Sequence, residues 1–237
     1  MTTPAGARPL VIAHRTCPQH APENSLLGIR RAAELGADVV EVDVRLSIEG
    51  RPVLLHDRIL PKATGLTGPP SVHREATILS REIGEGERVP SFAQALAALP
   101  PGLRMAIDVK VPRAVHPVLA EVVHQGAEDR VLIWSQQPSV VRFTADRHPA
   151  IEASLLRDTR SARAERAFFA AADRSRARGI SARWESVTPD FAAHARAGGL
   201  RLYSWCRTPE IDPARLALLD GIVTDWPEAA RAVLDAA

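Results

Sequence analysis

The stretch VVEVDVRLSIEGRPVLLHD, residues 39–57, sets a run of valines against Glu41, Asp43 and Arg45. Side chains alternate along a strand, so Glu41 and Asp43 share one face while Val40, Val42, Val44 and Leu46 share the other. The polar face is either wetted by solvent or part of a site, and the rest of the chain has to decide between the two. Glu49-Gly50 reads as a turn, so a short strand over 53–57 is expected to fold back on the first.

Outward from this stretch the pattern repeats as a short apolar strand, a polar connection and an Ala/Leu/Arg-rich helix. Strands are expected at 9–15, 39–47, 103–110, 130–136, 151–156, 179–184, 200–206 and 221–225. Helical segments include 91–99, 114–126, 138–147 and 227–236. In ENSLLGIRRAAELGAD, Asn24 or Ser25 can cap a helix that Gly36 ends. Eight strand–helix units over this length imply a parallel sheet closed into a (β/α)8 TIM barrel. An open doubly wound sheet would show a glycine-rich turn after its first strand, and AHRTCPQHAPEN has none. The expectation is one barrel domain over residues 1–237, with a small hairpin and loop insertion after the second barrel strand. Residues 58–90, rich in glycine and proline, are long for a barrel connection and read as a lid or binding loop.

Composition narrows the function. The 237 residues are 46% hydrophobic, enough for one large core, and contain no apolar run long enough to span a membrane. The opening MTTPAGARPLVIAHR has neither the basic nor the long apolar region of a secretory signal, which points to the cytoplasm. Cys17 and Cys206 are too few for a disulfide framework and read as free thiols. A formal charge of +2 with no dense basic run argues against nucleic acid as a partner. Among 30 lysines and arginines only Lys62 and Lys110 are lysine, so a lysine inside a strand stands out.

In a barrel, the chemistry lies at the carboxyl ends of the strands. His14 and Arg15 close the first strand, Glu41 and Asp43 lie in the outer half of the second, and His56 ends its hairpin. Asp108 and Lys110 share one face at the end of the third, with Ser135 on the fourth and Trp205 on the seventh. Singly, His14 could be a packed strand-end histidine, Asp57 a turn residue and Trp205 a core or rim residue. Their conjunction at the ends of the first strands argues otherwise. Glu41, Asp43 and Asp108 would repel one another unless a cation sits among them, and hard oxygen ligands select Mg²⁺ or Ca²⁺. His14, Arg15 and Lys110 would then meet an anionic small molecule such as a phosphate ester. Two histidines beside a phosphate can act as general base and general acid.

AHR, PENS, GAD, EVDV and PVLLHD resemble the leading signature of the glycerophosphodiester phosphodiesterase family, and ERVPSFAQAL, AIDVK and GIVTDWP resemble its later blocks. The resemblance covers roughly residues 10–230. It implies a metal-dependent barrel that hydrolyses small-molecule glycerophosphodiesters, with His14 and His56 as the catalytic pair. It also implies Glu41, Asp43 and Asp108 as metal ligands and Arg15 as a phosphate contact; Lys110 and Trp205 are expected to touch substrate. Thr16 stands where the family usually has glycine, and Asp108 where it usually has glutamate. An Asp-x-Lys at that place is similar to the cyclising sphingomyelinase D and phospholipase D branch, so a cyclising enzyme on lysolipids is an alternative. A catalytically weak barrel that only binds phosphodiesters is the third.

Overall fold

The computed structural model describes residues 8–60 and 64–236, so Lys62 and the outermost residues of the expected 1–237 domain lie outside the described residues. In chain order the barrel strands are β1 (Leu10–Ala13), β2 (Val39–Leu46), β6 (Arg104–Val109), β7 (Val131–Ser135), β8 (Glu152–Arg157), β9 (Gly179–Arg183), β10 (Arg201–Cys206) and β11 (Gly221–Thr224). Each pairs in parallel with the next, and β1 pairs with both β2 and β11, so the sheet closes on itself. The helices are α1 (Leu26–Glu34), α2 (Glu75–Leu79), α3 (Phe92–Ala97), α4 (Val115–His124), α5 (Pro138–Arg147), α6 (Ala162–Arg174), α7 (Pro189–Ala197), α8 (Pro213–Leu216) and α9 (Pro227–Asp235). Among the described residues, no helix is long and apolar enough to cross a membrane.

Local sequence explains where the helices begin. Ser25, Ser91, Ser161 and Thr188 each accept a backbone N–H of the first turn, and Ser91 forms a reciprocal box with Gln94. Proline opens α5, α7, α8 and α9, where its missing N–H costs nothing. Outward-facing Val40, Val42, Val44, Met105, Ile107 and Val109 pack under Phe92, Leu96, Val118, Leu119 and Val122 of α3 and α4. A second layer joins β8–β11 to α6, α7 and α9.

The insertion after β2 is more ordered than its composition suggests. β3 (Pro52–Leu54) pairs antiparallel with the outer end of β2, and β4 (Glu82–Gly84) forms a hairpin with β5 (Glu87–Arg88). Val53, Leu55, Leu60, Ile78 and Val89 bury one another in a small core of their own. Among the described residues, the segment expected as a lid or binding loop is thus packed, because apolar residues scattered in sequence converge in space on Val53 and Leu55.

The barrel interior holds Ile12, Val39, Ala106, Leu132, Trp134, Tyr203 and Val223. Tyr203 needs the glycines beside it. A Cβ on Gly221 would lie 3.0 Å from its ring, and one on Gly179 would lie 3.1 Å from the ring and 2.4 Å from Ser154 Oγ. The Tyr203 hydroxyl donates to buried Glu152 (2.6 Å), whose other oxygen lies 3.2 Å from Arg201. This polar plug sits at the amino end of the strands, away from the mouth, and so acts on stability. Tyr203→Phe removes the shortest donor to the Glu152 carboxylate, leaving it Arg201 and the more distant Ser154 hydroxyl (3.4 Å), and should cost about 1–3 kcal/mol. Urea denaturation measures it; an unchanged midpoint would show that Arg201 and Ser154 suffice.

Candidate active site

Strand register brings the carboxylates together. Asp43 lies directly beside Asp108 across the β2–β6 ladder, and Glu41 lies two residues earlier on the same face. Ligand oxygens of Glu41, Asp43 and Asp108 all fall within 4.8 Å of one another, and the three side chains are buried. The face of β2 that alternation alone left ambiguous is therefore not wetted by solvent but buried in the barrel mouth. Lys110, one step beyond β6, turns its ammonium onto this pair, 2.6 Å from Asp43 Oδ1 and hydrogen-bonded to Asp108 Oδ2.

Burial and mutual repulsion decide the charges here. Burial, then the neighbouring Asp43, push Glu41 well above the usual carboxylate range. Asp108 is likewise raised, by burial and by Asp43, against the pull of Lys110. Burial acts on Asp43 too, but Lys110, His56 and the amide of Asn24 outweigh it and hold Asp43 at about 2. Lys110 is raised above its ordinary value, since burial opposes its charge but three carboxylates favour it more. One ammonium does not offset three carboxylates, and buried Asp108 Oδ1 has no partner among the described residues. A divalent cation fits this all-oxygen donor set and would supply both the missing charge and the missing partner.

The first loop is shaped around the same carboxylates. Arg15, Thr16 and Cys17 all have left-handed backbone, with φ of 44°, 61° and 75°. This turn aims the Arg15 N–H at Glu41 Oε2 (2.7 Å), while the guanidinium lies between Glu23 (3.0 Å) and Asp43 (3.6 Å). Thr16 is β-branched in a conformation that favours glycine, a strain of roughly 1–3 kcal/mol. Its hydroxyl offsets part of that by accepting the Ser25 N–H (3.0 Å). Gly28 of α1 makes the room, because a Cβ there would lie 2.1 Å from the Thr16 carbonyl oxygen. The departure from glycine at Thr16 is thus accommodated with the turn intact.

Both histidines line the mouth, and each has a carboxylate on Nδ1. His14 follows β1, which pairs with β11, so it meets Asp225 just beyond that strand at 2.6 Å. His56 Nδ1 lies 2.9 Å from Asp57 Oδ1, and its carbonyl accepts two N–H groups from Arg45, at 2.9 and 2.7 Å. A carboxylate on Nδ1 holds the proton there and leaves Nε2 free. His14, Arg15, Glu41, Asp43, His56, Asp108, Lys110 and Trp205 all line one cavity of about 410 Å³.

Ser135 does not join them. It lies on the outward face of β7 and donates to the Val109 carbonyl (2.7 Å), while its neighbours Trp134 and Gln136 line the cavity. Alternation already implies this, since inward-facing Leu132 and Trp134 set the phase of that strand. Its position before α1 makes Asn24 a helix-cap candidate, but its side chain clamps Asp43, donating to Oδ2 and accepting the Asp43 N–H, both at 2.9 Å. Asp225 and Arg45 join the site only through tertiary contacts, although the place of Asp225 at the end of a barrel strand is itself a signal in the sequence.

Comparison with known proteins gives the family and the fold. Residues 14–229 match the model of the glycerophosphoryl diester phosphodiesterase family. A glycerophosphodiester phosphodiesterase of Caldanaerobacter subterraneus subsp. tengcongensis is 27% identical over 234 residues, covering 92% of this chain and 95% of that protein. Two solved structures share the fold. One, a putative glycerophosphoryl diester phosphodiesterase of Silicibacter pomeroyi, has a TM-score of 0.85 at 23% identity, covering 98% of this chain and 94% of that one. The other, an Oleispira antarctica phosphodiesterase in complex with the product sn-glycerol-3-phosphate, has a TM-score of 0.84 at 20% identity, covering 96% and 97%. With acidic cluster, paired histidines and closed barrel in place, the match over residues 14–229 means that this chain belongs to the glycerophosphoryl diester phosphodiesterase family.

Proposed function

We propose that the protein, acting as one barrel domain across residues 1–237, hydrolyses glycerophosphodiesters such as deacylated phospholipids to glycerol phosphate and an alcohol. The observation that carries this reading is the convergence of two carboxylate-held histidines, three buried carboxylates and two cations on one cavity. Glu41, Asp43 and Asp108 would hold a Mg²⁺ or Ca²⁺ ion, which when bound supplies Lewis-acid charge stabilisation at the phosphate. Arg15 and Lys110 add positive charge beside it, and Trp205 offers an apolar surface to the substrate's carbon arms.

The histidines divide the proton work. His14, whose Asp225 partner is the more buried of the two carboxylates, takes the proton of the attacking hydroxyl at Nε2. That hydroxyl belongs to water or to the neighbouring glycerol carbon. His56, nearer solvent, gives a proton to the departing alcohol oxygen, and a later water restores both histidines. We also place the enzyme in the cytoplasm, where reducing conditions suit its two buried free thiols, Cys17 and Cys206.

The deciding assay incubates purified protein with a glycerophosphodiester panel, with Mg²⁺, Ca²⁺ or chelator. Release of free glycerol phosphate supports hydrolysis; an accumulating cyclic phosphate indicates the cyclising alternative, and binding without turnover the weak one. His14→Ala and His56→Ala should each lower turnover by about 10²–10⁴-fold with the fold retained. Near-normal kcat/KM in either variant removes that histidine from the mechanism.

Metal binding has a readout of its own. Saturating Mg²⁺ or Ca²⁺ should raise the melting temperature of the wild type by several degrees, since about 2.7 kcal/mol follows at a hundredfold excess over Kd. Asp108→Asn should blunt that rise, and an equal rise in the variant would place the ion elsewhere. Lys110→Arg conserves charge, but a planar guanidinium is wider than the gap between Asp43 and Asp108 that an ammonium fills. A loss in kcat/KM on the order of tenfold to a thousandfold is expected. Normal kinetics would reduce Lys110 to a generic cation.

A further inference from the structure

The reaction groups account for only one wall of the cavity. The opposite wall, from β8 to β10, carries Arg157, Arg160, Arg183 and Arg207 against two carboxylates, Asp158 and Glu185. Arg160 holds Asp158 through two nitrogens, at 3.0 and 2.8 Å, and Arg183 holds Glu185. The guanidinium groups of Arg157 and Arg207 have no hydrogen bond or ion pair among the described residues. This chain uses arginine freely on its surface, so an unpaired guanidinium means little by itself. Two of them in the wall of a substrate cavity, beside arginines that each have a carboxylate, leave that wall with uncompensated positive charge. Leu156 and Trp205 lie in the same cavity and give a carbon linker an apolar surface to cross.

We propose that Arg157 and Arg207 form an anion subsite for the leaving alcohol, so that the preferred substrates are glycerophosphodiesters whose alcohol carries a second phosphate. The inference rests on the phosphodiesterase reading and adds the substrate class to it. The scissile phosphate lies by His14, Arg15 and Lys110, and the second phosphate, as diester or monoester, meets guanidinium forks that match its oxygens. An alcohol bearing a quaternary ammonium would meet repulsion at the same place.

Four substrates test this. Glycerophosphoglycerol has a neutral alcohol, and glycerophosphocholine a cationic one. Bis(glycerophospho)glycerol adds a second diester, and glycerophosphoglycerol phosphate adds a monoester. Wild-type kcat/KM should be highest for the two with a second phosphate, on the order of tenfold above glycerophosphoglycerol once the twofold excess from the two equivalent diesters of bis(glycerophospho)glycerol is discounted. Glycerophosphocholine should be lowest, and the spread should shrink as salt rises. Comparing the two phosphate-bearing substrates tells whether diester or monoester is preferred. The R157Q/R207Q variant should bring the anionic-to-neutral ratio close to one, whereas R113Q/R196Q, which removes the same charge from exposed positions outside the cavity, should keep it. Equal kcat/KM across the panel in the wild type, or an unchanged ratio in R157Q/R207Q, overturns the subsite while leaving the phosphodiesterase reading intact. No turnover of any of the four, with metal supplied, overturns that reading and the subsite with it.

Discussion

The contact of Lys110 with Asp43 and Asp108 is the interaction around which the mouth of the barrel is organised. Parallel pairing of β2 with β6 sets two carboxylates side by side, about one strand spacing apart, in a buried place. Like charges so close and so dry cannot both persist without a counter-charge. Lys110 supplies one, Arg15 approaches from the first loop, and a divalent cation would fit the remaining deficit. Removing one partner of such a buried pair leaves an unbalanced charge and costs several kcal/mol, so the arrangement has to be satisfied as a whole.

Neighbouring structure follows from that need. The left-handed turn at Arg15–Cys17 brings a backbone N–H onto Glu41, and Asn24 uses both ends of its amide on Asp43. Gly28 has to stay without a side chain because Thr16 fills the space above it. The strain of Thr16 is held by a hydroxyl that completes the start of α1, so the helix and the site-forming loop depend on each other. Arg45, next to the cluster on β2, reaches the carbonyl of His56 and so ties the hairpin insertion to the barrel strand that bears the carboxylates.

The cavity is electrostatically divided. β1, β2 and β6 present carboxylates, histidines and the cations that balance them, a composition suited to breaking a phosphate ester. β8 to β10 present arginine in excess of acid around Leu156 and Trp205. A barrel allows this division because each loop is carried by its own strand, so one side can hold the chemistry while another varies with the substrate.

Much of this was legible in order along the chain. The eight-strand repeat, the E-x-D and D-x-K faces and the strand-end histidines depend only on alternation and on the rule that barrel sites lie at carboxyl ends, which are local facts. Their family resemblance was likewise carried by short runs such as EVDV and PVLLHD. Tertiary structure alone decided what depends on partners distant in sequence. Asp225 reaches His14 across 211 positions because β11 closes the barrel against β1. Leu60 and Val89 share a small core although the chain between them looks irregular. Arg157 and Arg207 become a pair only when β8 and β10 bend round to one cavity. Periodicity fixes which way a side chain points; only closure of the sheet fixes what it meets.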